Sequence, residues 1–385
     1  MRQFFIERRA RGIGDPIDRL RYLHEKLGAG PRNQAPRKRR NWKPWTFLPA
    51  FAVLFIPGFK ASNPALQMST LQMPALALPQ FAPAVEVFSN VWLVDKSNNV
   101  ESYSNGLRID DRFAVSSDPR TPYPVYRRYQ IDPARPELRA QPAGIVYHTT
   151  ESDQANFDET QNRALKKIGR EVLGFVKHNR SYHFVIDRFG QVYRIVEESD
   201  IANHAGYSVW ADTGAIYVNL NASFLGIAFE TQTQPGELPS ANPAQIHAAR
   251  VLTEMLRSKY RISQANCVTH AQVSVNPDYM LVGYHTDWAG NFPFREVGLS
   301  DNYATPIAAI TTFGFDYNPM FVHATGWRLW QGLALAEDQL REQSAAEGLT
   351  LSQHRAILRK KYKTIIDTLK AESDDRENKE VRHAS

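Results

Sequence analysis

Seven of the eleven histidines fall between residues 148 and 285. Imidazole changes charge near neutral pH and is the commonest metal ligand, so this concentration points to metal or acid–base chemistry. A catalytic zinc takes three protein ligands from histidine and carboxylate and leaves a fourth position for water. Such ligands are best sought among the histidines and aspartates at the ends of strands. His148 closes the apolar run AGIVYH, His270 follows Cys267-Val268-Thr269, and Asp287 sits in the loop YHTDWAGNFPF beside Gly290 and Pro293. No HExxH or HxxEH segment occurs, which excludes the common helix-borne zinc hydrolase motifs. The single cysteine, Cys267, has no partner for an intramolecular disulfide or a thiolate metal site and reads as a small buried hydrophobe.

The elements that must position these residues alternate between strand and helix patterns over residues 143–300. AGIVYH (143–148) has the composition of a buried strand, and 159–178 that of a helix. SYHFVIDRFGQVYRIV (181–196) reads as two strands around a turn at Gly190, and FLGIAFET (224–231) as another strand. Asn242-Pro243 supplies a helix start, after which Ile246, Ala249, Leu252 and Leu256 share one face. The economical fold class is α/β (α+β): a mixed central β-sheet flanked by helices.

The segments GIVYHTT, SYHFVIDRFGQVYRIV, ANHAG, FLGIAFE, the amphipathic helix, VTH and TDWAGNFPF occur in the order seen in type-2 N-acetylmuramoyl-L-alanine amidases. Over about 160 residues the chain resembles that family, which shares the peptidoglycan-recognition-protein fold. The resemblance implies that His148, His270 and Asp287 hold Zn2+, with Asp278, in the long loop before Asp287, as a rival third ligand. Tyr182 falls where some members have a tyrosine that stabilises the reacting oxyanion. Strand alternation sends its neighbour His183 to the opposite face, where it is structural. His285 stands where many catalytic members carry lysine. The family's glutamate position holds Ala228 here, and Glu230, two residues on, is either a general base acting through water or a groove residue. His204 is expected to line the groove against sugar or peptide, or else to stabilise its turn. The implied activity is zinc-dependent hydrolysis of the amide between N-acetylmuramic acid and L-alanine in peptidoglycan or muropeptides. The alternatives are a non-catalytic peptidoglycan-binding protein of the same fold and an envelope tether.

Outside that region the chain changes character. Residues 1–44 hold 13 Lys/Arg against 4 Asp/Glu, leaving 33 against 36 of the totals of 46 and 40, so the net charge of +6 belongs to one tail. That argues against nucleic acid as a partner, since a nucleic-acid footprint spreads over a folded face. The tail (1–43) meets an apolar segment (44–60) that is charge-free from Pro44 to Phe59 before Lys60, short of the roughly 20 residues of a straight transmembrane helix and interrupted by Pro49 and Pro57. It reads as an uncleaved membrane anchor or an export signal, and either places the remainder on the extracytoplasmic side of the cell membrane. A Pro-rich stalk (61–84) follows, then a small β element and irregular lead-in (85–140), the zinc amidase domain (141–300), a C-terminal helical hairpin (301–370) and a charged, disordered tail (371–385). Trp330, Leu333 and Leu340 mark the first C-terminal helix, and Leu358, Tyr362, Ile365 and Leu369 the second. The sequence leaves the oligomeric state open.

Overall fold

The computed structural model describes residues 86–384 except 129–130, 133–134, 234–239, 319–320 and 326–329. The basic tail, the apolar segment and the stalk expected over residues 1–84 lie outside the described residues. Among those described, no helix is long and apolar enough to cross a membrane.

A mixed eight-stranded sheet organises the domain. Its strands are β1 (Leu93–Ser97), β2 (Val100–Tyr103), β3 (Arg108–Asp110), β6 (Gly144–Thr149), β7 (Phe184–Ile186), β8 (Val192–Arg194), β11 (Phe224–Phe229) and β12 (Cys267–Thr269), in the order β1-β2-β3-β8-β7-β11-β6-β12. The four strands β7-β11-β6-β12 run parallel. Every residue of β6 and β11 is buried, which is why GIVYHT and FLGIAF read as near-continuous apolar runs rather than alternating ones. Between β7 and β8 the Asp187 side chain accepts from the backbone N–H groups of Phe189 and Gln191, and Gly190 takes the positive φ that the turn needs.

Helices cover both faces. Helix Pro243–Tyr260 starts with a reciprocal capping box, Asn242 with Gln245, and Pro243 occupies the first turn. It packs Ala249, Leu252 and Leu256 against Ile145, Tyr147 and Ile227 of the sheet. Helix Asn162–His178 lies on the other face, where Leu173 and Val176 share a core with Val185 and Ala228.

The described residues between 86 and 140 form more strand than their composition suggests. Strands β1–β3 join the main sheet through parallel pairing of β3 with β8. The Pro-rich lead-in supplies β4 (Tyr123–Arg127) and β5 (Glu137–Arg139), which pair with β10 (Ala215–Val218) and β9 (Val209–Ala211) as a four-stranded sheet. A three-stranded sheet is made by β13 (Val275–Asn276), β14 (Leu281–Val282) and β15 (Asp316–Tyr317). β5 pairs with the nearby β4, but the β10 partner of β4 lies some ninety residues away, so local pattern could not reveal this sheet.

The C-terminal hairpin is present as helices Gln331–Ala346 and Leu351–Ala384. Trp330, Leu333, Leu340, Leu358, Tyr362 and Ile365 are all buried, in a core shared with Ala271, Val275 and Ala289. Helix continues through the charged end of the chain to Ala384, where composition favours disorder; that end lacks Gly and Pro and is rich in helix-forming Glu, Lys, Arg and Ala.

One buried ion network ties the N-terminal strands to the domain. Arg194, on β8, donates to Glu101 on β2 at 2.8 Å, to Asp111 at 2.6 Å and to Glu198 at 2.9 Å. Lys96 and Lys259 add pairs to Glu101 and Glu198. Burial raises the cost of Glu101's charge, but hydrogen bonds from Arg194 and Lys96 outweigh it and bring the carboxyl down to about 2. Replacing Arg194→Met should leave two buried carboxylates underpaired and cost about 3–5 kcal/mol in denaturant unfolding at pH 7. Glu101's depressed pKa contributes stability that is full above its unfolded value, about 4.3, and is lost as pH falls towards 2. The gap between wild type and variant should therefore narrow from pH 5 to pH 2; a cost below about 1 kcal/mol at pH 7 would show the network to be dispensable.

Candidate functional site

The site forms where parallel strands end. Ala228 on β11 is in register with His148 on β6, and Thr269 on β12 with Tyr147, so His270 leaves β12 beside His148. Their rings are 4.4 Å apart between centroids. Asp287 arrives on the loop after β14, positioned by neighbours rather than by a strand. Its own carbonyl accepts from the Ala271 N–H at 3.2 Å. The indole of Trp288 donates to the His148 carbonyl at 2.9 Å, and Tyr303 donates to the Trp288 carbonyl at 2.6 Å. Trp330, from the C-terminal extension, donates to the Ala289 carbonyl at 2.8 Å, so segments far apart in sequence brace this loop.

The Asp287 carboxylate faces both imidazoles, with Oδ1 2.8 Å from His270 Nδ1 and Oδ2 3.1 Å from His148 Nδ1. All three side chains are buried, and their potential ligand atoms lie within 4.8 Å of one another. Burial disfavours charge on Asp287, yet the adjacent imidazoles hold its carboxyl well below the usual range. Burial, followed by the neighbouring His270, brings His148 down to about 4, so its ring is neutral at neutral pH.

His148 Nε2 lies 3.2 Å from His204 Nδ1, and His204 Nε2 lies 3.3 Å from the Phe224 carbonyl. A carbonyl only accepts, so a neutral His204 carries its proton on Nε2 and presents a bare Nδ1. A hydrogen bond between the two rings then requires the His148 proton on Nε2, and with that tautomer its bare Nδ1 faces an anionic carboxylate oxygen. Two lone pairs 3.1 Å apart repel unless a cation sits between them. His270 Nε2 is in addition buried without a hydrogen-bond partner. Two imidazole nitrogens and one carboxylate oxygen are the donor set that zinc takes in catalytic sites, so the residues fit a metal of that kind.

Around this cluster the structure gathers most, though not all, of the residues singled out from sequence. Tyr182 has a left-handed φ of 62° and leaves its ring 5.0 Å from that of His148, with its hydroxyl donating to the Thr149 carbonyl at 3.4 Å. His183 turns away, accepting from the Gly226 N–H on Nδ1 with Arg120 near Nε2. His285 stacks on His270 at 4.8 Å and is exposed on its outer side. His204 touches His148 rather than merely walling a groove, and its ring lies on Gly226, where a Cβ would come within 2.7 Å of its Cγ. Asp278 is exposed and outside the cluster, which removes it as a third ligand.

Glu230 is placed differently. Its Oε2 accepts from the Arg188 N–H at 3.2 Å and faces Gly169 of helix Asn162–His178, on the wall of a cavity of about 420 Å³. Burial pushes its carboxyl up to about 7. None of its described hydrogen bonds reaches the histidines. Sequence reasoning missed Asn221, whose side-chain oxygen accepts from the backbone N–H groups of His204, Ala205 and Gly206 at 3.0, 2.7 and 2.8 Å. An asparagine in NLNAS signals a turn, but nothing local says which loop it holds.

Residues 138–288, less than half of the chain, match the family model described as N-acetylmuramoyl-L-alanine amidase. No curated protein matches the chain. Among solved structures, the chain is similar to the N-acetylmuramoyl-L-alanine amidase LysC from Clostridium intestinale, at 24% identity over 49% of this chain and 93% of that one, with a TM-score of 0.27. It is also similar to the N-acetylmuramyl-L-alanine amidase AmiD from E. coli, at 18% identity over 64% and 98%, TM-score 0.36. A third is PGRP-SA of Apis mellifera, at 20% identity over 35% and 73%, TM-score 0.25. Likeness at these TM-scores carries no argument by itself. The family model does, and its span contains His148, His270 and Asp287: residues 138–288 are a domain of the N-acetylmuramoyl-L-alanine amidase family.

Proposed function

We propose that the domain is a zinc-dependent hydrolase of the amide between N-acetylmuramic acid and L-alanine in peptidoglycan or its fragments. The observation that carries this reading is the buried cluster of His148, His270 and Asp287, whose potential ligand atoms lie within 4.8 Å of one another. A zinc ion held there would supply Lewis acidity and lower the pKa of water towards neutrality.

The chain's own groups divide the remaining work. Burial holds the Tyr182 hydroxyl protonated, with its pKa raised, so it remains a hydrogen-bond donor beside His148. A donor aimed at the oxygen that gains charge as the amide is attacked lowers the barrier because the dipole is already oriented. His285, stacked on His270 at the solvent edge, offers a ring nitrogen that can pass a proton to the departing alanine amine. Ala228, opposite His148, brings no carboxylate to the site, and this favours the second reading, a peptidoglycan-binding protein that kept the cluster. Delivery to the extracytoplasmic side, which the tail and apolar segment of residues 1–60 support, would bring the domain to a cell-wall substrate.

The protein assayed on peptidoglycan should release free L-alanine amino termini; a chelator should stop the release and added zinc restore it. Asp287→Ala should lose both bound metal and activity. Stoichiometric zinc with no cleavage between pH 5 and 9 would establish the binding reading instead. Tyr182→Phe should lower kcat by about 10²-fold, in the range for loss of one oxyanion donor, with zinc content unchanged. Unaltered kcat would remove Tyr182 from the chemistry.

A further inference from the structure

We infer that Asn221 and His204 form an outer-sphere relay whose work is to leave Nδ1 of His148 bare for a metal. The inference rests on the metal-binding part of the proposed function and goes beyond it. Histidine ligands usually donate their second ring N–H to a carboxylate, a carbonyl or water. Here the acceptor is another imidazole, and the proton order of the pair is dictated from its far end.

The chain of constraints begins at the backbone. Three consecutive amides, of His204, Ala205 and Gly206, converge on the single side-chain oxygen of Asn221. This clamp fixes the loop against the segment that leads into β11. The ring of His204 is then laid flat on Gly226, the only residue type that admits it so closely. In that pose Nε2 meets the Phe224 carbonyl at 3.3 Å and Nδ1 meets His148 Nε2 at 3.2 Å. The Phe224 carbonyl cannot donate, so it selects the Nε2–H tautomer of a neutral His204. That ring in turn selects the Nε2–H tautomer of His148. The relay moves no proton during turnover; it fixes where protons rest. Without it the Asp287 carboxylate would draw the His148 proton onto Nδ1, where it would form a good hydrogen bond and block the metal. His204 and Asn221 are therefore positioning residues and touch no substrate in this role.

The test uses the full chain and two readouts that need no catalysis. In metal-free wild-type protein, long-range proton–nitrogen correlation of the imidazoles should show His148 as its Nε2–H tautomer; the Nδ1–H tautomer would overturn the inference. Zinc affinity, measured by competition with a chromophoric chelator, should fall about 10–100-fold in His204→Phe, which keeps a ring but no acceptor. His204→Asn, whose amide oxygen occupies the position of Nδ1, should restore affinity to within a few-fold of wild type. Asn221→Ala should shift both readouts in the direction of His204→Phe. A thermal midpoint for each variant separates misfolding from loss of the relay. Wild-type zinc affinity retained in a folded His204→Phe protein sinks the relay but spares the zinc site, whereas a wild-type protein that binds no zinc sinks the proposed function itself.

Discussion

A carboxylate cannot keep its charge in an apolar interior unless its surroundings compensate for the lost water. Asp287 is buried and faced by two imidazoles that hold its carboxyl well below the usual range. Everything about the site follows from satisfying that one group. Strand register brings His148 and His270 side by side, and Trp288 and Tyr303 hold the loop that carries the carboxylate against them.

The bracing extends well beyond the matched segment of residues 138–288. Trp330 and the C-terminal helices bury their apolar faces against the core that contains Ala271 and Ala289, the residues following His270 and two after Asp287. At the opposite edge, Arg194 gathers carboxylates from strands and turns that precede the matched segment. Both flanks thus contribute to the rigidity that a metal site demands, since ligands misplaced by a fraction of an ångström lose much of their affinity.

Much of the frame was legible from sequence. Continuous apolar runs marked β6 and β11, Asn242-Pro243 marked the helix start, and 4- and 3-residue spacing marked the C-terminal helices. These signals are local, set by backbone geometry and burial over a few residues. Strands β4, β5, β9 and β10 were not legible: they are short, and the pairing of β4 with β10 that joins the two hairpins into one sheet spans some ninety residues. The candidate ligands His148, His270 and Asp287 are legible through the order of motifs that the chain shares with the amidase family; an isolated histidine at a strand end, or an aspartate in a loop, does not by itself mark a metal ligand.

By itself the sequence determined which donors the chain possesses, the segments on which they ride and the family that orders those segments in this way. It also determined that the carboxylate of Glu230 is displaced from the position held by Ala228. Only the tertiary structure decided which donors meet. It set Asp278 outside the cluster, turned Glu230 towards helix Asn162–His178, and brought His204 Nδ1 within 3.2 Å of His148 Nε2. The physical reason is that a hydrogen-bond chain such as Asn221, His204, His148 spans three loops and strands with no shared periodicity. Its members are fixed by distances across space, to which the spacing of residues along the chain is blind.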